Sequence, residues 1–271
     1  MSYKSILVNL DIEAPSEAAL KAATGLAREF EAMLVGFAAA DLPMPIVTTE
    51  GMVVDGGFIE DQREDIERQL AEARAAFDRS AAGLARAEWR GGVYNPSRLL
   101  METARLCDLV VTAAPSANGD DANAIDVAEV ALHAGRPVLV LADNAGRGLT
   151  GKALVAWKDT REARRAVADA VPLLARASEV IVATVDRDAS EFSAESLADV
   201  ALYLSAHGIK ARTEVLSEGD DAGALIGYAE ALDVDLIVSG AFGHSRLREW
   251  VFGGVTRSLL NDKRFNRFVS S

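Results

Sequence analysis

The feature that most limits what this chain can fold into is a strand–helix–strand unit spelled twice. Residues 152–158, KALVAWK, parallel residues 5–11, SILVNLD. Val180–Val185 parallels Met33–Ala38 at the same offset, about 147 residues. The stretch CDLVVTAA from Cys107 parallels VDLIVSGA from Val234 at about 127. The difference of about 20 residues matches segment 41–59, DLPMPIVTTEGMVVDGGFI, which has no sustained period and no counterpart in the second half. Short apolar runs alternating with helical patterns predict parallel pairs joined by right-handed crossovers.

Each half reads as one such series. In the first, strands are expected at 5–10, 33–37, 89–93, 109–112 and 137–141. Helices are expected from Ser16, whose hydroxyl suits an N-cap, then over 60–87, 96–106 and 125–134. The helix over 60–87 has Ile66, Leu70, Ala73, Phe77, Ala81 and Leu84 at helical spacing, with charged residues on its other face. Residues 144–148, NAGRG, read as a linker. In the second half, Thr160 is expected to cap a helix that Pro172 kinks or ends early. A helix over 194–207 should stop at Gly208, with a strand at 209–216 and a helix at 222–232 following. Leu236-Ile237-Val238 reads as a buried strand. The tail, residues 265–269, reads as a poor fifth strand because Asn266 and Arg267 interrupt it. The expected domains are residues 1–145 and 150–271.

Composition narrows the function. Half of the 271 residues are apolar, enough for a substantial core, and the net charge is −13. That charge argues against nucleic acid or anionic membrane as partners, since both need a basic face. No apolar run is long enough to span a membrane, and the N-terminus lacks a signal-peptide pattern, so the expected location is cytoplasmic. The single cysteine, Cys107, is expected to be a buried small side chain, and three scattered histidines give no zinc spacing.

The chemistry concentrates in residues 235–260, DLIVSGAFGHSRLREWVFGGVTRSLL. A buried strand is followed by Gly240, Gly243, and the pair Gly253 and Gly254; Thr256 then opens another helical pattern. Glycines after such a strand let backbone approach a ligand, and a helix start beyond them points free N–H groups at an anion. The expectation is a phosphate cradle at the C-terminal edge of a parallel sheet.

The spacing Gly240-x2-Gly243-x9-Gly253, followed by a small residue, resembles the nucleotide-binding signature of the universal stress protein family. With the repeat, the resemblance covers nearly the whole chain and is to a tandem member. It implies an α/β fold: two doubly wound, mostly parallel five-stranded sheets with helices on both faces, of the adenine nucleotide alpha hydrolase-like, Rossmann-like kind. It implies an adenine nucleotide, ATP with Mg²⁺, as ligand, and self-association through the last strands, as an internal pseudo-dimer or a homodimer. The family prefers Ser or Thr directly after the third glycine, where this chain has Gly254; Thr256 is kept. The carried-over binding positions are Gly240, Gly243, His244, Gly253, Gly254, Val255 and Thr256.

The family places an acid at the end of the first strand. Asp11 stands there in the first half; in the second, Lys158 stands there, with Asp159 next and Trp157 before it. The glycine positions show the opposite bias. Their first-half counterparts are Ala113, Ser116 and Asp126, in a loop that also carries Asp120 and Asp121, which repel phosphate. The first domain is therefore expected to be a degenerate nucleotide site. The second keeps the cradle, with Lys158 and Asp159 serving in place of the acid. Arg246, Arg248 and Arg257 flank it.

Other motifs add little. Gly146 to Ala153, GRGLTGKA, nearly fits GxxxxGK[ST], but it ends in Ala and precedes a strand instead of joining a strand to a helix. No catalytic residue or metal site is expected. The functional expectation is a stress-response, nucleotide-binding module and not an enzyme. A weak ATPase using Asp159, Glu249 or His244, or a scaffold for a protein or small-molecule partner, are the alternatives.

Overall fold

In the computed structural model, residues 2–13, 15–42, 56–114, 123–143, 148–217, 221–241, 259 and 262–271 are described. The chain divides into two compact units: residues 4–130, and residues 131–271 with the first few residues of the chain. The segment 43–55 and the linker residues 144–147, including Gly146, lie outside the described residues.

The earlier unit contains β1 (Ser5–Asn9), α1 (Glu17–Phe30), β2 (Met33–Ala40), α2 (Gly56–Ala81), β3 (Ala87–Val93), α3 (Pro96–Ala104) and β4 (Leu109–Ala113). Its strands lie in the order β3-β2-β1-β4, all parallel. β1, β2 and most of β4 are buried, which is why they read as unbroken apolar runs. Ser16 caps α1 as expected, its hydroxyl accepting from Ala19 N at 3.1 Å. The long helix ends at Ala81 and not at Ala87. Gly83 takes a left-handed φ of +86°, which turns the chain into β3.

The helix α4 (Val127–His133) leads across the unit boundary to the later unit. That unit contains β5 (Val138–Leu141), β6 (Lys152–Ala156), α5 (Arg161–Leu174), β7 (Glu179–Val185), α6 (Glu191–Ala206), β8 (Ala211–Leu216), α7 (Asp221–Leu232), β9 (Leu236–Gly240) and β10 (Asn266–Ser270). Its sheet order is β8-β7-β6-β9-β10-β5; every pair is parallel except β10 with β5, which is antiparallel. On one face Leu154, Ile181 and Ile237 pack with Leu225 and Ala229 of α7 and with Leu259 and Phe265. On the other, α5 contributes Ala163, Ala166, Val167, Ala170 and Val171.

Three expectations need correction. The fifth strand of the first repeat, β5, belongs to the later unit, where it pairs with β10, the last strand of the second repeat. The tail is a fully buried strand, with Asn266 2% and Arg267 1% exposed. Its polar side chains are held by backbone: Asn266 Oδ1 accepts from Ala142 N at 3.0 Å, Asn266 Nδ2 donates to Gly148 O at 2.9 Å, and Arg267 Nη2 donates to Leu141 O at 3.1 Å. Burial lowers the Arg267 guanidinium to about 10, against the pull of Asp262 and Asp143. Lastly, α5 runs past Pro172 to Leu174. The proline has no N–H to give the Ala168 carbonyl, but the helix still closes beyond it, with Ala175 N donating to Val171 O at 2.9 Å.

The repeat is visible bond for bond. Asp108 Oδ2 accepts from Ser5 N, and Asp235 Oδ2 accepts from Lys152 N, both at 3.1 Å. Leu10 N donates to Phe37 O, and Trp157 N to Ala183 O, both at 2.8 Å. Cys107 and Val234, the first residues of the matched stretches, are both buried.

Candidate functional site

In the later unit the winding reverses between β6 and β9. From β6 the chain moves outward to β7 and β8; from β9 it moves the other way to β10. That reversal makes the C-terminal ends of β6 and β9 the switch point of the sheet, the edge at which open α/β sheets take ligands. The register pairs Ala156 with Ser239, so Trp157, Lys158 and Asp159 leave β6 beside Gly240 at the end of β9. Residues far apart in sequence, and singled out separately in it, thus meet at one edge.

Each side chain there has a definite setting. Lys158 is exposed. Asp159 Oδ1 accepts from Arg164 Nε at 2.9 Å and Nη2 at 2.6 Å, so this carboxylate is already paired across the first turn of α5. Trp157 is buried and turned toward α6, its indole N–H donating to Ser196 Oγ at 2.9 Å. Thr160 caps α5: its hydroxyl accepts from Ala163 N at 3.2 Å and its carbonyl from Arg164 N at 3.1 Å. Glu162 is buried in the same turn. Burial works to raise its pKa, but the Arg161 hydrogen bond and backbone and Thr160 contacts together hold it below the usual carboxylate range.

Gly240 has a structural reason of its own. A Cβ there would lie 2.6 Å from Ala163 N and 2.7 Å from Glu162 C. The bare backbone lets the first turn of α5 seat directly on the strand end, so α5 uses the space that glycine leaves. Gly243, His244, Gly253, Gly254, Val255 and Thr256 lie outside the described residues, as do Arg246, Arg248, Glu249 and Arg257. Leu259, just beyond, is buried against α7.

The earlier unit shows what its corresponding edge does instead. Asn9 Nδ2 donates to Thr112 Oγ1 at 3.2 Å in a buried bond that ties β1 to β4. Asp11 Oδ1 accepts from Glu13 N at 2.9 Å, closing a local turn. Ser116, Asp120 and Asp121 lie outside the described residues. Asp126, the counterpart of Gly253, accepts from Ala128 N at 2.9 Å and Glu129 N at 3.0 Å. The α4 N-terminus therefore already holds a carboxylate of its own where a phosphate would go.

His207 caps the C-terminus of α6, with its ring 4.8 Å from that of Tyr203. Among the described residues no group of three or more His, Cys, Asp or Glu is placed to hold a metal, and no helix is long and apolar enough to cross a membrane. One feature escaped the sequence reading altogether: a cleft between α5 and α6, floored by Trp157. Its only linear trace is exposed Phe192 and the i,i+4 pair Glu195 and Asp199 on a helix whose other side is buried.

The two units are thus α/β, with the switch point of the second between β6 and β9. Comparison with known proteins agrees. A universal stress protein from Archaeoglobus fulgidus DSM 4304 superimposes with a TM-score of 0.72 over 98% of this chain and 96% of its own, at 17% identity. A protein of unknown function from Pseudomonas aeruginosa PAO1 does so with 0.62 over 99% and 92%, at 19% identity. A universal stress protein in complex with cAMP is similar over 52% of this chain with a TM-score of 0.34, too slight a likeness to bring its ligand here. No curated protein matches in sequence. Residues 150–262 match the model of the universal stress protein family, so the second half of the chain carries a domain of that family. The whole-chain superposition gives it the tandem fold.

Proposed function

We propose that the second domain, residues 150–271, binds an adenine nucleotide, ATP with Mg²⁺, and that the first domain, residues 1–145, does not. The observation that carries this is the Ala156–Ser239 register. It sets Lys158, Asp159 and Gly240 together at the switch point of the domain that also has the family match and the glycine spacing. In this reading Gly243, Gly253 and Gly254 bring backbone N–H groups to the phosphates, with His244, Val255 and Thr256 beside them. Lys158 adds positive charge, and Asp159 stands on the ribose side. Asp126 and the Asn9–Thr112 bond support the inactivity of the first domain.

The role is that of a cytoplasmic stress-response binding module and not an enzyme. The antiparallel pairing of β5 with β10 supports the internal form of the expected self-association. Isothermal titration with ATP and Mg²⁺ tests the site. Binding should be present in the wild type and lost in Gly243→Asp and Gly253→Asp. Binding that survives both substitutions, or that the wild type lacks, overturns the reading. Steady-state phosphate release above background would favour the weak-ATPase alternative.

A further inference from the structure

A cleft of about 560 Å³ opens between α5 and α6 of the later unit, within the size range of small-molecule pockets. At the matching helices of the earlier unit, side chains cross the gap instead. There Thr24 Oγ1 and Ser80 Oγ bridge α1 to α2 at 2.9 Å, and Arg28 Nη2 reaches Ser80 O and Ala82 O at 3.4 Å.

The walls of the cleft are aromatic and aliphatic. Trp157 lies at the base, fixed by its bond to Ser196, and Val167 and Val200 line the sides. Phe192 and Tyr203 stand along α6 at the cleft, 65% and 39% exposed, so both rings are open to a ligand. Tyr203 is steadied edge-on by His207.

The charges in the cleft do not cancel. Arg164 is taken up by Asp159. That leaves Glu195 and Asp199, one turn apart on α6, with no hydrogen bond or ion pair among the described residues. Like charges at this spacing repel each other, and a cation between them relieves the repulsion. An aromatic-walled slot with two unpaired carboxylates at its rim has the complementarity of an ammonium carried on an apolar body: ring faces attract the cation, carboxylates pair with it, and the slot buries the rest.

We propose that this cleft binds a small organic cation, an aromatic or branched apolar body bearing an ammonium group. The proposal stands apart from the nucleotide reading. It shares only Trp157 and Asp159 with that site and does not need the glycine loop.

The test uses three probes with one indole body and different heads: tryptamine, tryptophol and indole-3-acetate. Each is titrated into the full chain by calorimetry, with ligand-observed NMR as a second readout. Tryptamine should bind at least about tenfold more tightly than tryptophol, and indole-3-acetate more weakly still. The double variant Glu195→Gln, Asp199→Asn should bring tryptamine down to the tryptophol value and leave tryptophol unchanged. Ala168→Phe, which narrows the slot from a partly exposed position, should weaken both. Thermal melts confirm that each variant folds. Gly243→Asp should leave tryptamine binding intact, which separates this outcome from failure of the nucleotide site. Equal affinity for tryptamine and tryptophol, tryptamine affinity that survives the double variant, or no tryptamine binding up to about 10 mM overturns the proposal.

Discussion

Alanine at Gly240 puts the packing of α5 to a direct test. The added Cβ would sit 2.6 Å from Ala163 N, 2.7 Å from Glu162 C and 3.0 Å from Ala163 Cα. All three are backbone atoms, so no flexible side chain can swing aside. Relief needs the first turn of α5 to retreat by most of an ångström. That turn is pinned by the Thr160 cap and by Ala163, Ala166 and Val167 in the core. Overpacking of this kind costs about 1–3 kcal/mol, and the rigid neighbours place this case at about 2–3 kcal/mol. Gly227 is the control. It lies in α7 of the same unit, and a Cβ there meets nothing within 4 Å. Gly227→Ala should therefore stabilise by about 0.5–1 kcal/mol through helix propensity. Urea unfolding followed by circular dichroism reads both, and the two midpoints should move in opposite directions. In a thermal melt Gly240→Ala should lose roughly 4–10 °C. A Gly240→Ala protein within about 0.5 kcal/mol of wild type would refute the close seating of α5 on β9.

Further outcomes follow from named contacts. Asn266→Ala strands the Ala142 N–H and the Gly148 carbonyl and should cost about 2–4 kcal/mol in urea unfolding. Asp108→Asn and Asp235→Asn each weaken the matching bond at the start of a first strand. The two should cost similar amounts, about 1–2 kcal/mol, each in its own unit. Asp186 accepts from the Ser190 and Ser193 hydroxyls and the Ser190 N–H, which hold its pKa well below the usual 3.8. With the folded value depressed, its stabilisation is full above about pH 4 and is lost as pH falls further. The stability gap between wild type and Asp186→Asn should therefore be constant near neutrality and close below about pH 4; a gap that persists in acid would contradict that bonding.

Much of this molecule was legible in its residues because it rests on local rules. Strand–helix alternation, the Ser16 and Thr160 caps and the Gly208 stop follow from near neighbours, and the repeat showed that one topology is built twice. The end of β9 was legible as well, since a buried apolar run followed by glycine marks a sheet edge. In the tail strand and at Gly240, where expectation failed, the deciding contact was long-range. Asn266 and Arg267 looked unfit for a core strand until Ala142, Gly148 and Leu141 supplied partners more than a hundred residues away. Gly240 looked like ligand space, yet it is filled by Ala163. The cleft over Trp157 exists because α5 and α6 meet across a sheet, and no short stretch of chain records the gap between two helices. Periodicity and capping are encoded within a turn or two; strand order and the space between packed elements arise only when the whole chain has closed on itself.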